Sequence, residues 1–259
     1  MAKLSEWELW AIASKFDADF GGEAAIHAAF KADAMLERND RLACNYRLNP
    51  PAGPRCSCRR ALAWPAPPMC NLYRMTSTAD EMKKLFGEFE GSRSNIPSYD
   101  AIYPDQEAPV LTATGGRHTL ANMTWGVPGW KEGMRPITNV RNLTSNFWKY
   151  MLVDPQHRYL VPVTAFCEWT GEKGSKKKVW FGLKDEPLFS FAGLWRETQT
   201  GPRMAFLICE PNSLVVPVHP KAMPVILKPD DYGGWLSGDY DDAVSLAKPF
   251  DADAMEILE

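Results

Sequence analysis

Length, composition and charge describe an ordinary globular chain and exclude several classes of protein. The 259 residues are 45% hydrophobic and 24% charged, which supplies ample material for a buried core. The formal net charge of −3 does not indicate general nucleic-acid binding, so contact with phosphates would need a local basic patch. Because the sequence has no apolar run of about 18 residues and no signal-peptide pattern, we expect a cytoplasmic protein without membrane contact.

The six cysteines show no paired spacing in a chain of this length, which favours reduced thiols over a disulfide framework. Cys56 and Cys58, with Cys44 nearby, could suggest a metal site. A zinc site usually needs four ligands in C-x₂-C or histidine-containing spacings, and those partners are missing here. We therefore expect no metal.

The first quarter of the chain differs from the rest. Residues 1–38 contain two stretches of helical pattern, which Gly21-Gly22 separates. Residues 39–68 are rich in proline and arginine without a consistent period, as expected for a linker or for sequence never selected to fold. We therefore divide the chain into an N-terminal extension, residues 1–69, and a domain over residues 70–259.

The domain predicts an α+β fold. The segment TADEMKKLFGEF, residues 78–89, predicts an amphipathic helix with Thr78 or Asp80 as its N-cap. Short apolar or alternating runs follow, separated by Gly, Pro, Asn and Asp. They are APVLTAT (108–114), TLANMTWGV (119–127), RYLVPVTAFCEW (158–169), KVWFGLK (178–184), LFSFAGLWRE (188–197), RMAFLICE (203–210) and MPVILK (223–228). Many short strands with little helix between them predict a mostly antiparallel, barrel-like sheet with flanking helices.

Two residues are candidates for proton transfer. Glu168 stands in an apolar run, where a buried carboxylate would need a partner or a raised pKa, as a proton carrier does. The alternative is an outward-facing residue on an alternating strand. His219 lies in a turn between two strand-like runs, a position that suits either an active site or an ordinary surface histidine.

Four further residues are candidates for binding. In an extended segment, Asn139 and Arg141 would point to the same face and could bind a phosphate or carboxylate; a turn asparagine and a solvated arginine are the alternative. Trp125 and Trp130 flank a tight turn and could stack on nucleobases, although core tryptophans are more common.

The order of these motifs is more specific than any one of them. MCN, YP, WGVPGW, TNVR, LVPVTAFCEW, FAGLW and H-x₃-MPVIL follow one another along residues 69 to about 237. This order resembles the SOS response-associated peptidase (SRAP) family of abasic-site processing proteins. The resemblance implies a bacterial, monomeric, cofactor-free protein that forms a covalent crosslink with abasic sites in single-stranded DNA.

The resemblance also implies a role for each matching residue. Cys70 would be the nucleophile once its amine is free, with Asn139, Glu168 and His219 as the other catalytic residues. The implied DNA contacts are Arg74, Pro104, Trp125, Trp130 and Arg141. Arg74 stands in for the arginine of the usual M-C-G-R start, which reads Met69-Cys70-Asn71-Leu72 in this chain.

The implied chemistry explains why the cysteine must be terminal. A free α-amine attacks the aldehyde of an open abasic sugar to give an imine, and the thiol then closes a thiazolidine ring. An internal cysteine cannot do this, because its nitrogen is a planar amide. An α-amine has a pKa of about 7.7–8.0, so roughly a tenth of it is neutral at pH 7.

Two other functions remain open from the sequence. One is a non-covalent single-stranded DNA-binding module, in which Cys70 stays internal. The other is a cysteine-type peptidase using Cys70 and His219, in its narrower form an autopeptidase that cleaves before Cys70. We expect either that translation starts at Met69 or that a pro-segment ending at Met69 is removed.

Overall fold

The computed structural model describes residues 70–91, 96–129, 134–172 and 175–258. The predictions for the extension, residues 1–69, and for Trp130 lie outside the described residues. The described residues up to Thr144 and from Trp148 onward belong to one compact unit. Within the described ranges, no helix has the length and apolarity needed to cross a membrane.

The first helix, α1, begins where the sequence predicts. It runs over Ala79–Phe86, and Thr78 rather than Asp80 is its N-cap. The predicted helix extended to residue 89, which was wrong: Gly87, at φ 77°, ends the helix, and Phe89 begins a strand. The Thr78 hydroxyl accepts a hydrogen bond from the Glu81 amide at 3.3 Å, and the Thr78 amide donates to the Glu81 carboxylate at 2.7 Å. This reciprocal pair satisfies amides that the start of a helix leaves free. Three short helices were not predicted: α2 (Asn146–Val153), α3 (Tyr232–Ser237) and α4 (Tyr240–Ser245).

The strands of the described residues form two sheets. They are β1 (Tyr73–Met75), β2 (Phe89–Glu90), β3 (Tyr99–Ile102), β4 (Glu107–Thr114), β5 (Arg117–Trp125), β6 (Asn139–Val140), β7 (Arg158–Val163), β8 (Ala165–Thr170), β9 (Lys177–Leu183), β10 (Phe189–Arg196), β11 (Arg203–Cys209), β12 (Met223–Pro224), β13 (Ile226–Leu227) and β14 (Met255–Ile257). Every predicted run therefore contains a strand. The run over residues 158–169 divides at Thr164 into β7 and β8, which join different sheets.

The larger sheet has the order β12-β11-β10-β7-β4-β5-β2, with β6 added beside β11 and β13 beside β10. Strands β5 and β11 also pair, in parallel, at Arg203–Thr124 and Met204–Trp125. The five strands β11, β10, β7, β4 and β5 therefore close into a ring. The smaller sheet is antiparallel, with the order β14-β9-β8-β1-β3. The predicted mostly antiparallel, barrel-like α+β fold is confirmed.

Aromatic side chains form the core between the two sheets. Tyr73 of the smaller sheet meets the ring of Trp125 with 5.2 Å between centroids and that of Phe206 at 6.1 Å. Phe166 meets Phe191 at 5.9 Å. All five side chains are buried, and edge-to-face pairs of this kind add to the free energy of burial. One face of the smaller sheet is thereby fixed against the larger one.

Candidate active site at the start of the domain

Cys70, the first residue that the structure describes, is buried and held by a short chain of hydrogen bonds. The Asn139 side-chain amide donates to the Cys70 carbonyl oxygen at 3.3 Å and to the Thr138 hydroxyl at 2.9 Å. That hydroxyl donates in turn to the side-chain oxygen of Asn71 at 3.2 Å. Thr138 and Asn139 thus hold the Cys70 carbonyl and the side chain of the next residue, Asn71.

The register of a two-residue strand brings Asn139 to this position. Strand β6 pairs in parallel with β11, which places Asn139 opposite Phe206 in the interior. The amide oxygen of Asn139 is buried and has no hydrogen-bond partner among the described residues. A buried acceptor without a partner is uncommon and indicates either strain or a site that binds a further hydrogen-bond donor.

Glu168 supplies a deeply buried carboxyl group beside Cys70. Strand alternation places it on the same face of β8 as the core residue Phe166, and only 1% of Glu168 is exposed. Burial raises the pKa of the Glu168 carboxyl to about 8, while the neighbouring Cys70 thiol lowers it. Neither carboxylate oxygen has a partner of ordinary hydrogen-bond geometry among the described residues, although the thiol lies close enough to act on the pKa. A carboxyl in this state is protonated at pH 7 and can donate a proton.

The Cys70 thiol is neutral for related reasons. Burial raises its pKa well above the ordinary 9.0, and the Glu168 charge raises it further. Its sulfur lies 4.0 Å from the Cys167 carbonyl oxygen, a weak contact. The site therefore holds a thiol and not a preformed thiolate.

His219 is buried in the turn before β12. Its Nδ1 is 2.7 Å from the Ala222 carbonyl oxygen, and because a carbonyl only accepts, Nδ1 carries the proton. The turn that holds His219 leads into β12, whose Pro224 pairs with Ile208 two residues along β11 from Phe206. Among the described contacts, no hydrogen bond joins His219 to Cys70, Asn139 or Glu168. The structure thus brings three of the four candidate catalytic residues together directly.

The candidate DNA-binding residues are more dispersed. Arg74 on β1 packs its guanidinium 3.6 Å from the centre of the Trp180 ring. Pro104 is partly exposed in the turn after β3. The Arg141 side chain is 37% exposed and bonds the Glu210 carboxylate at 2.9 Å. These three residues can be reached from solvent.

Two sequence interpretations need correction. Trp125 is fully buried, and its indole nitrogen donates to the Thr138 carbonyl at 3.0 Å, so its ring belongs to the core and cannot stack on a base. Asn139 and Arg141 do not share an environment, because β6 ends at Val140: the asparagine is buried and the arginine is exposed.

Asn71 and Thr138 complete the hydrogen-bond chain at Cys70, and sequence reasoning missed both. Asn71 follows the candidate Cys70, and Thr138 precedes the candidate Asn139. Each has a short polar side chain that can form hydrogen bonds with nearby groups. That adjacency was the only signal available. Their pairing depends on a contact between residues far apart in sequence.

Comparison with protein families decides the relationship. The family model of the SOS response associated peptidase (SRAP) matches residues 69–259. The chain belongs to the SRAP family. Family membership supports an SOS-associated function that is related to abasic sites. A search among curated proteins finds no match.

Three solved structures are similar to this chain in fold. A protein from Bacteroides thetaiotaomicron is 23% identical, with a TM-score of 0.62, and the match covers 73% of this chain and 92% of that one. A protein from Bordetella bronchiseptica is 19% identical, with a TM-score of 0.61, over 73% and 100% of the two chains. A phage-related protein from the same organism is 20% identical, with a TM-score of 0.59, over 73% and 92%. At these identities the likeness concerns the fold alone.

The SRAP-like start of the domain departs from the usual motif in a way that the fold accommodates. Leu72 replaces the usual arginine and is buried against Ala165, Cys167 and Trp180. Arg74, two residues later, reaches the same Trp180 ring, as the alternation of a strand allows. Arg74 therefore presents a cation on the face where Leu72 presents none.

Proposed function

We propose that this SRAP protein forms a covalent thiazolidine crosslink with abasic sites in single-stranded DNA through Cys70, in a chain that begins at that residue. The observation that carries the proposal is the group of buried polar side chains at Cys70. Asn139 holds its carbonyl, Glu168 lies beside its thiol, and the free acceptors of both side chains have no described partner.

The proposed reaction uses both functional groups of Cys70. The α-amine adds to the aldehyde carbon of the opened sugar and gives a carbinolamine. Glu168, protonated at pH 7, donates a proton to the hydroxyl, which leaves as water, and the imine forms. The thiol then adds to the imine carbon and gives its proton to the Glu168 carboxylate. One C–N bond and one C–S bond form, and one water is released.

The surrounding residues position the reacting atoms. The hydrogen bond from Asn139 to the Cys70 carbonyl restricts rotation of the residue that carries both amine and thiol. His219, whose protonated Nδ1 leaves Nε2 as the acceptor, is proposed as a second proton carrier. Arg74, Pro104 and Arg141, with Trp130, are proposed to contact the DNA.

The state of the thiol favours ring closure over peptidase chemistry. A cysteine peptidase needs a thiolate, usually paired with a histidine. Here burial and Glu168 keep the pKa of the Cys70 thiol high, and no described hydrogen bond joins it to His219. Addition to an imine needs only a neutral thiol beside a base, which Glu168 supplies after its first proton transfer.

The test compares a chain that begins at Cys70 with the full chain. The related structures match over 92–100% of their own length, so an equivalent of this domain folds alone in those proteins. Each chain is incubated with single-stranded DNA that contains one abasic site, without borohydride. We expect a heat-stable adduct with the Cys70-initiated chain only, with an intact mass equal to protein plus DNA minus one water.

A Cys70→Ser chain that also begins at residue 70 is the matched control, because it keeps the amine and removes the thiol. It should form an imine that only borohydride traps. Equal adduct formation by the full chain would contradict the need for a free amine. An adduct of the Cys70-initiated chain that disappears on heating would contradict the ring.

A further inference from the structure

Strands β5 and β6 lie one after the other along the same edge of β11. Arg203 of β11 pairs with Thr124 of β5 on one side and with Arg196 of β10 on the other. Phe206 pairs with Asn139 of β6 on one side and with β10 on the other. Both β5 and β6 therefore occupy the edge of β11 that faces away from β10, and the connection between them returns to the edge that it left.

The two ends of this connection contact each other. The main chains of Val127 and Ile137 exchange two hydrogen bonds, at 2.9 and 2.8 Å. Gly126, at φ 121°, packs so closely on Pro136 that an added Cβ would lie 2.7 Å from the Pro136 Cβ. A side chain at residue 126 is therefore disfavoured by both the conformation and the contact. The place where the chain leaves β5 thus fixes the place where it approaches β6.

Arg203 attaches the end of β5 to the turn before β4. Its Nη1 donates to the Asp105 carboxylate at 3.1 Å and, at a longer 3.5 Å, to the Gly126 carbonyl oxygen. The Arg203 side chain is 19% exposed and that of Asp105 is 59% exposed, so the ion pair lies at the margin of the core. The Nε of Arg203 is buried without a described partner. One nitrogen therefore joins the turn to the first residue after β5.

Asp105 adopts a left-handed main-chain conformation where this turn meets β5. Among the described residues it is the one non-glycine residue with positive φ, at 66°. Aspartate tolerates this conformation better than most residues, because its short polar side chain can bond nearby groups. The Asp105 amide donates to the Trp125 carbonyl oxygen at 2.7 Å, and the Trp125 amide donates to the Gln106 carbonyl oxygen at 2.9 Å. The main chain of the turn is thus bonded to β5, and its side chain is bonded to β11.

The end of β5 also contacts the segment that holds Cys70. The Trp125 indole donates to the Thr138 carbonyl oxygen at 3.0 Å. Asn139, the next residue, donates to the Cys70 carbonyl oxygen at 3.3 Å. A continuous series of contacts therefore leads from Arg203, through the end of β5 and the start of β6, to Cys70.

We propose that Arg203 and Asp105 are positioning residues for the crosslinking reaction. They fix the end of β5 and thereby the start of β6, which places the Asn139 amide on the Cys70 carbonyl. This inference rests on the proposed function, because it gives a role in that reaction to two residues that do not touch the reacting atoms. A displacement of about 1 Å in a reacting group can lower a rate about a hundredfold. The pair should therefore act on the rate of crosslinking at saturating DNA.

The experiment is a double-mutant cycle in the chain that begins at Cys70. The single-turnover rate is measured at saturating abasic single-stranded DNA, so that a change in affinity does not enter. Arg203→Met should lower this rate about tenfold, and Asn139→Ala should lower it at least as much. Because Arg203 acts through Asn139, the double variant should have the rate of Asn139→Ala alone. A double variant whose loss is the product of the two single losses would overturn the inference.

Conservative variants and a matched control separate positioning from stability. Arg203→Lys keeps the charge, and Asp105→Asn keeps a side chain that tolerates positive φ, so each should lose only about threefold in rate. Arg117→Met is the control, because it breaks an ion pair of 3.4 Å with Glu90 at the other end of β5, and it should keep the parent rate. Urea unfolding establishes that every variant is folded at the assay temperature. A rate for Arg203→Met equal to that of Arg117→Met would contradict a positioning role.

An NMR measurement distinguishes this inference from the proposed function. The indole N–H resonance of Trp125 reports its hydrogen bond to Thr138 without any reaction. It should move in Arg203→Met and stay in place in Arg117→Met. If no chain forms an adduct but the resonance moves, the proposed function fails and the coupling of Arg203 to the start of β6 stands. If the adduct forms and Arg203→Met changes neither the rate nor the resonance, the proposed function stands and the inference fails.

Discussion

Two ionisable side chains, Arg158 and Glu168, are equally buried, each 1% exposed, and the protein treats them in opposite ways. Arg158, at the start of β7, donates to the carbonyl oxygens of Trp235 and Gly238, both at 2.8 Å. Glu168, at the middle of β8, has no described partner of comparable geometry for either oxygen. Both terminal nitrogens of the Arg158 guanidinium are therefore hydrogen-bonded, although its Nε has no described partner, whereas neither oxygen of the Glu168 carboxyl is hydrogen-bonded in ordinary geometry.

The difference in hydrogen-bond partners separates a structural buried group, Arg158, from a candidate functional one, Glu168. The carbonyls that Arg158 binds lie at the C-terminal end of α3, where a helix leaves acceptors unpaired and favours a cation. Burial lowers the pKa of Arg158, and Asp154, Asp239 and Asp242 oppose that change. Glu168 instead becomes a neutral acid beside Cys70. Burial without hydrogen-bond partners, and not burial alone, marks the candidate site.

The largest expected effect is on the rate of crosslinking by Glu168→Gln in the Cys70-initiated chain. The amide keeps the shape but cannot transfer a proton, so the single-turnover rate should fall about 10²–10⁴-fold. The free energy of unfolding, measured in urea, should be unchanged or higher, because the variant no longer buries a carboxyl group at this position. A rate within threefold of the parent chain would remove Glu168 from the mechanism.

Arg158→Met should lower the stability of the fold and leave the crosslinking rate unchanged. It leaves two carbonyls at the end of α3 without their donors, which should lower the free energy of unfolding by about 2–4 kcal/mol. The crosslinking rate at a temperature where the variant is folded should match that of the parent. Arg158→Lys, which keeps the charge but loses the forked geometry, should recover part of the stability. A Met variant as stable as the parent would show that the hydrogen bonds contribute nothing net.

The pH dependence of stability tests Glu168 in a second way. Its pKa is about 8 in the folded protein against an ordinary 4.5, so the folded state binds the proton more tightly. The stabilisation is full below about pH 4.5 and is lost as the pH rises towards about 8. The slope in that window should be about 1.4 kcal/mol per pH unit from this group. Urea unfolding at several pH values should show that slope in the parent chain and its loss in Glu168→Gln; parallel curves would contradict the raised pKa.

The smallest effect is expected for Tyr73→Phe. The Tyr73 hydroxyl is buried without a described partner, so its removal should change the free energy of unfolding by no more than about 1 kcal/mol, in the stabilising direction. Aromatic packing against Trp125 and Phe206 is retained. If the variant instead slows crosslinking tenfold or more at full stability, the hydroxyl belongs with Glu168 as a group reserved for the reaction.

Local patterns in the sequence were enough for much of the fold. The Thr78 cap begins α1 because its partner, Glu81, is three residues away. The longer strands lie in the predicted apolar runs because alternation and turn residues are short-range signals. The ordered motifs were enough for the family, which the match over residues 69–259 confirms. The short strands β1, β2, β3, β6 and β14 were missed, because their pairing partners, not their own residues, stabilise them.

Tertiary structure alone decided which polar residues are buried and what they meet. Arg158 begins an apolar run and gave no sign that a helix 77 residues later would supply its acceptors. The sequence left a base-stacking role open for Trp125, and the pairing of β5 with β11 places its ring in the core. Asn139 reaches Cys70, 69 residues away, only because β6 pairs with β11. The sequence determined which residues are able to do the chemistry. The register between distant strands decided which of them come into contact. Burial and pairing depend on residues far away in the sequence, and a local sequence pattern does not contain that information.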